Sequence, residues 1–126
     1  MYQKQYNFKS GFEKSIWETL PHKKKGLDIQ YESCKIPYKL PCPVKNYIPD
    51  IVVTFSNGKK IYIELKGYFR TTDKAKMKAV KLTNPDLDIR MVFTRKDKRY
   101  EKWCEKNKIP CAFSYVPKSW FKEQNK

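Results

Sequence analysis

Hydrophobic residues recur at two different spacings along this chain, and the switches between them mark out its elements. Phe12, Ile16, Trp17 and Leu20 stand at helical spacing behind Ser10-Gly11-Phe12-Glu13, which has the S-x-x-E form of a capping box. A first helix is therefore expected from Ser10. Pro21 lacks a backbone donor and should end or kink it between Thr19 and Lys25, with Gly26 closing the segment. From Leu27 to Leu40 the pattern alternates, first through Leu27, Ile29 and Tyr31, then through Cys34, Ile36, Tyr38 and Leu40. The single change of parity predicts one strand with a bulge near Glu32 and Ser33. Pro41-Cys42-Pro43 stiffens the next stretch into an extended connection that leads through Tyr47-Ile48-Pro49 to Asp50.

Ile51 to Phe55 and Lys60 to Lys66 flank Ser56-Asn57-Gly58-Lys59 and read as a hairpin, whose register follows from burial. A two-residue Asn57-Gly58 loop would set Ile51 opposite Glu64 and mix apolar with polar positions on one face. A three-residue loop with Gly58 left-handed pairs Ile51 with Ile63 and Val53 with Ile61, which buries a uniform face. That register also puts Asp50 opposite Glu64, with Lys66 further along the same side.

Beyond Gly67, Thr72-Asp73 can cap a second helix running to about Leu82, with Met77, Val80 or Ala79, and Leu82 inward and lysines outward. Asn84-Pro85 stops it. Ile89 to Phe93 reads as a strand buried on both faces, Tyr100 to Asn107 as a third helix, and Cys111 to Phe113 as a last strand. No internal repeat or linker divides the chain, so residues 1–126 are expected to form a single α/β domain around a central mixed β-sheet flanked by helices.

Charge narrows the function. The chain carries 28 Lys and Arg against 13 Asp and Glu, a formal net charge of +15 spread along its whole length. Such an excess calls for a polyanion, and for duplex DNA each phosphate neutralised should add roughly −0.9 to the slope of log affinity against log salt. The longest uncharged run, Ile109 to Pro117, is far short of the roughly 20 apolar residues that span a bilayer, so no membrane association is expected. Met1 to Tyr6 lacks the apolar core of a secretion signal, and an intracellular protein is expected. Cys34, Cys42, Cys104 and Cys111 match no zinc spacing and His22 is the sole histidine, so the cysteines read as reduced and structural.

The candidate chemistry lies in the carboxylates placed among apolar residues. Asp50, Glu64 and Lys66 would share one face of the hairpin. Two carboxylates forced side by side repel, and a divalent cation such as Mg²⁺ both relieves that repulsion and bridges to phosphate. A lysine beside them can orient a water or stabilise the charge growing on a phosphoryl group. The same residues could equally be a solvated cross-strand pair and a turn aspartate after Pro49, and Glu13 could be no more than the capping-box glutamate of Ser10.

Phe8-Lys9-Ser10-Gly11-Phe12-Glu13, Tyr47-Ile48-Pro49-Asp50, Glu64-Leu65-Lys66-Gly67 and Asn84-Pro85-Asp86-Leu87-Asp88-Ile89-Arg90-Met91-Val92-Phe93 together resemble the phage endonuclease I family, the Holliday-junction resolvases of T-odd bacteriophages. Trp103-Cys104-Glu105-Lys106 and Pro117-Lys118-Ser119-Trp120 extend the resemblance over about residues 8 to 123. It implies a restriction-endonuclease-like domain of the PD-(D/E)xK superfamily that cuts branched DNA with Mg²⁺ or Mn²⁺, one or two ions per site. By that resemblance Asp50, Glu64 and the carbonyl of Leu65 would ligate metal, Glu13 would complete a second metal site, and Lys66 would assist the water or the scissile phosphate. It further implies an intertwined, domain-swapped homodimer with Glu13 and Asp50 of each site on different chains. The stiff Pro41-Cys42-Pro43 connection is compatible with such an exchange. Lys9, Arg70, Lys74, Lys76, Lys78, Arg95, Lys96, Lys98 and Arg99 are the candidates for gripping DNA phosphates, and the host cytoplasm is the expected location for a protein of phage origin. Pro21 within the first helix and the short basic tail after Trp120 depart from the family pattern. Two other functions fit the residues: a mismatch-nicking or restriction-type nuclease of the same superfamily, and a basic DNA-binding module without catalysis.

Overall fold

The computed structural model describes residues 7–39 and 44–122. The Pro41-Cys42-Pro43 connection lies outside them. Helix α1 (Gly11–Thr19) begins at the N-cap Ser10, whose hydroxyl accepts the Glu13 N–H, and ends two residues before Pro21. Its capping box is half of the expected one. The Glu13 carboxylate accepts the backbone N–H of Lys9, one residue earlier than the reciprocal bond to Ser10 that the motif predicts.

A five-stranded sheet carries the domain in the order β1 (Leu27–Tyr31), β4 (Ile51–Phe55), β5 (Lys60–Lys66), β6 (Ile89–Phe93) and β7 (Cys111–Phe113). The β1–β4 and β4–β5 pairs are antiparallel and the β5–β6 and β6–β7 pairs parallel, so the sheet is mixed as expected. The hairpin adopts the three-residue register: Ile51 faces Ile63, Val53 faces Ile61, and Gly58 has φ +88°. Only a residue tolerant of the left-handed region closes that loop without strain.

One expectation fails between residues 27 and 39. In place of a single bulged strand, the chain leaves the main sheet after β1 and enters a separate two-stranded sheet of β2 (Ile36–Lys39) and β3 (Val44–Tyr47). The parity change is real, but its cause is a change of sheet. Glu32 takes φ 45°, and its N–H donates to the Asp50 carbonyl at 3.0 Å, so the turn is pinned beside the start of β4.

Helices α2 (Thr71–Thr83) and α3 (Lys98–Lys106) connect the parallel strands and cover one face of the sheet. There Met77, Val80, Tyr100 and Cys104 meet Ile89, Met91 and Phe93. On the opposite face Ile16 of α1 and its C-cap Leu20 pack with Ile51, Val53, Ile61, Ile63, Leu65 and Val92. Strand β6 feeds both cores, as expected for a strand buried on both faces. Leu82 corrects another expectation: it is 70% exposed. At 100° per residue it stands about 140° around the helix from Met77 and about 160° from Val80, away from the sheet. The cap of α2 also differs, with Arg70 at the N-cap and Asp73 in the first turn accepting the Arg70 N–H at 2.9 Å. Among the described residues no helix is long and apolar enough to cross a membrane.

Candidate active site

Both faces of the sheet contribute acids to one corner. Glu13 comes from α1, Asp50 from the residue before β4, and Glu64 and Lys66 from the end of β5. The three carboxylates are 6%, 2% and 7% exposed, and they are the buried acids among the described residues. Burying a charge is costly unless it is paired, so each should have a partner. Glu13 accepts from the Tyr31 hydroxyl at 2.6 Å as well as from Lys9. Asp50 Oδ2 accepts the Leu65 N–H at 2.8 Å. Glu64 Oε1 accepts from the Tyr47 hydroxyl at 2.8 Å, and its Oε2 stands 4.0 Å from Lys66 Nζ.

These bonds do not neutralise the corner. Burial, reinforced by the charge of Glu64, pushes Asp50 up to about 8 despite the Leu65 amide. Burial likewise raises Glu64, against the opposing pull of the Tyr47 hydroxyl and of Lys66, Lys76 and Lys9. Both phenols are held protonated well beyond neutral pH, Tyr31 by burial and then Glu13, Tyr47 by burial and then Glu64. They therefore act as fixed donors that orient their carboxylates.

A further acid joins the group. Glu13, Glu32 and Asp50 each offer an oxygen within 4.8 Å of the others, a trio able to hold a cation. Lys9 crosses this trio, with its ammonium 2.8 Å from Glu32 Oε2 and 3.9 Å from Asp50 Oδ1. Sequence reasoning placed Glu32 only at a bulge. The parity break did mark the spot, but nothing local says that the turned residue faces Asp50. The resemblance implied Glu13 and Asp50 from different chains, whereas here both reach this corner within one chain.

The expected phosphate contacts divide into two sets. Lys9 turns into the acidic corner, while Lys74 lies over the Phe69 ring and Lys76 over the Tyr47 ring, at 5.7 and 5.5 Å. Arg70, Lys78, Arg95, Lys96, Lys98 and Arg99 are exposed, Arg70 stacking on Tyr68 and Arg99 pairing with Asp97 at 2.8 Å. Leu65 is buried and enters the site through its backbone N–H, which donates a hydrogen bond to Asp50 Oδ2. Asp73, which sequence reasoning assigned to capping alone, also binds Lys66 at 3.1 Å.

The chain is 33% identical to Endonuclease I of Escherichia phage T7 over 127 aligned residues, covering 94% of this chain and 81% of that protein. It is 34% identical to Endodeoxyribonuclease 1 of Enterobacteria phage T3, over 94% of this chain and 80% of that one. The family model for phage endonuclease I matches residues 1–126. On a match of this length, the chain belongs to the phage endonuclease I family.

Proposed function

We propose that this protein is a divalent-metal-dependent endodeoxyribonuclease that resolves four-way junctions and other branched DNA. The observation that carries this reading is the gathering of three buried carboxylates and one lysine at a single corner of a chain with net charge +15. The donor set fits a hard cation: all are oxygen ligands, and Asp50 is pushed up to about 8, a penalty that a bound divalent ion removes. Asp50, Glu64 and the Leu65 carbonyl would hold Mg²⁺, which Mn²⁺ can replace, with Glu13 completing a second position and Glu32 close enough to join it. When bound, the ion supplies charge neutralisation and Lewis-acid polarisation of the scissile phosphate.

The chain's own residues do the rest. The Lys66 ammonium sits where it can stabilise negative charge growing on a phosphoryl oxygen. Tyr31 and Tyr47 fix the rotamers of Glu13 and Glu64, so that the acids present the same oxygens at each encounter. Exposed Arg70, Lys78, Arg95, Lys96, Lys98 and Arg99 supply sequence-independent attraction to the DNA backbone. We read the whole chain, residues 1–126, as one restriction-endonuclease-like domain that works as a domain-swapped homodimer in the host cytoplasm, in which the exchange would rebuild between two chains the Glu13–Asp50 corner seen within one. A four-way junction has approximate two-fold symmetry, and a two-fold dimer places one site on each of two opposing strands.

The test is cleavage of an immobile synthetic four-way junction beside the linear duplexes that make up its arms, in Mg²⁺ and in EDTA. Nicking of the junction in preference to the duplexes, in Mg²⁺ alone, is the expected result. Cutting governed by duplex sequence, or junction binding in Mg²⁺ that never leads to a nick, would overturn the reading.

A further inference from the structure

Lys66 stands at the end of β5, where the chain leaves the sheet, and a long flexible side chain in that position has no reason to hold one direction. Its ammonium nevertheless has a defined place. It is 4.0 Å from Glu64 Oε2 and 3.1 Å from Asp73 Oδ1, and the shorter contact is a hydrogen bond. Asp73 is itself fixed by the backbone, because its other oxygen accepts the Arg70 N–H at 2.9 Å in the first turn of α2. That turn is anchored in its own right: the Arg70 carbonyl accepts from Lys74 N, and the neighbouring Phe69 N–H donates to the Tyr100 hydroxyl in the core.

The two contacts of Lys66 differ in what they can do during catalysis. Glu64 has one oxygen committed to Tyr47 and is a proposed cation ligand. A divalent ion drawn to Glu64 would repel an ammonium group that had no other anchor. Asp73 belongs to the first turn of α2 rather than to the acidic corner, so its hold on the lysine does not depend on Glu64.

From this geometry we infer that Asp73 is a positioning residue for Lys66: one carboxylate both caps α2 and fixes the ammonium group beside the reacting phosphate. The inference rests on the nuclease reading above. It extends that reading by making the α2 N-terminus, outside the acidic corner, a determinant of the rate of strand cleavage.

The experiment compares the full-length protein with Asp73→Asn, Asp73→Glu, Lys66→Met and the Lys66→Met/Asp73→Asn double variant. Asn retains an oxygen for the Arg70 N–H and loses the charge on Lys66, whereas Glu in the same turn retains both. Under single turnover on a Mg²⁺-loaded four-way junction, Asp73→Asn should nick about 10²-fold more slowly. Junction affinity measured in Ca²⁺ should stay within about twofold, and Asp73→Glu should recover most of the rate. In the Lys66→Met background the Asp73→Asn change should cost about twofold or less, since its effect runs through the lysine. An equal loss from Asp73→Asn with and without Lys66 would overturn the inference, as would a loss confined to binding. A readout independent of cleavage is the ¹⁵N signal of the Lys66 ammonium. It should persist at neutral pH through slowed proton exchange in the wild type and vanish in Asp73→Asn. Retention of that signal in the variant would overturn the anchor even in a protein that nicks junctions normally. A wild type that nicks no junction, with the signal behaving as expected, would instead remove the nuclease reading and leave the anchor standing.

Discussion

Asp50 and Asp97 are the same side chain in opposite circumstances. Asp50 sits among other acids in the corner between the two cores, and burial with the nearby Glu64 charge lifts its carboxyl up to about 8. Asp97 caps α3 at the surface, accepts the Arg99 N–H and pairs with the Arg99 guanidinium, and is held down at about 2. One region stores electrostatic conflict and the other relieves it. The contrast supports the proposed cation position: clustered, buried acids in conflict favour a bound cation, whereas a satisfied carboxylate at a helix cap is a piece of helix architecture.

Four experiments press on that contrast. The largest effect should come from the acids themselves: Asp50→Asn or Glu64→Ala should lower Mg²⁺-dependent junction nicking by on the order of 10³-fold, several kcal/mol of charge stabilisation. Gel-shift affinity for the junction should survive, because binding rests on the cations. Nicking at wild-type rate by either variant would remove these residues from the metal site.

A second experiment reads the stored conflict as stability. In chelator, native Asp50 keeps its proton up to about pH 8 while the unfolded chain loses it above the ordinary value of 3.8, so across this window the folded state binds more protons. Stability from this group is then lost as pH rises from about 4 to about 8. Asp50→Asn should abolish that dependence, so its melting temperature should overtake that of the metal-free wild type increasingly toward pH 8. Saturating Mg²⁺ should reverse the gap. A difference between the two proteins that is constant with pH would contradict the conflict.

The third concerns the surface cations. Replacing exposed Lys78 or Arg95 by Gln should reduce the magnitude of the salt slope for junction binding by about 0.9 for each phosphate that is no longer neutralised, with little change in the nicking rate at saturation. An unchanged slope would remove that residue from the DNA interface.

The smallest effect belongs to Asp97. Its stabilisation should be fully present above the ordinary carboxyl value of 3.8 and lost as pH falls toward about 2, so Asp97→Ala should lower the melting temperature slightly at neutral pH and hardly at all in strong acid. Nicking should be untouched. A change in cleavage rate would mean that α3 participates in the site.

Much of this was legible in the amino-acid order, and the parts that were not have a common cause. The β4–β5 register could be worked out because only one pairing keeps Ile51, Val53, Ile61 and Ile63 on a single face, and that is the pairing found. Ser10 as N-cap and Asn84-Pro85 as a stop are equally local signals. The residues Glu13, Asp50, Glu64 and Lys66 could be singled out as chemically suggestive, yet they were equally compatible with a capping glutamate and a solvated ion pair. The burial of the three acids around one corner argues against the solvated pair. Leu82 misled because an apolar residue near a helix end satisfies the pattern without facing the sheet.

The helices, the strands of the main sheet, the hairpin register, the cationic surplus and the family were thus readable from the chain alone, whereas β3 lies in a stretch that reads as part of an extended connection. Packing in three dimensions was needed to establish that residues 36–39 leave the main sheet, that Glu32 turns toward Asp50, that Tyr31 and Tyr47 donate to Glu13 and Glu64, and that Asp73 reaches Lys66. The three side-chain hydrogen bonds join residues 7 to 18 positions apart across different elements. A hydrogen bond of that kind is fixed by how sheets and helices pack, which no local pattern of polar and apolar positions encodes.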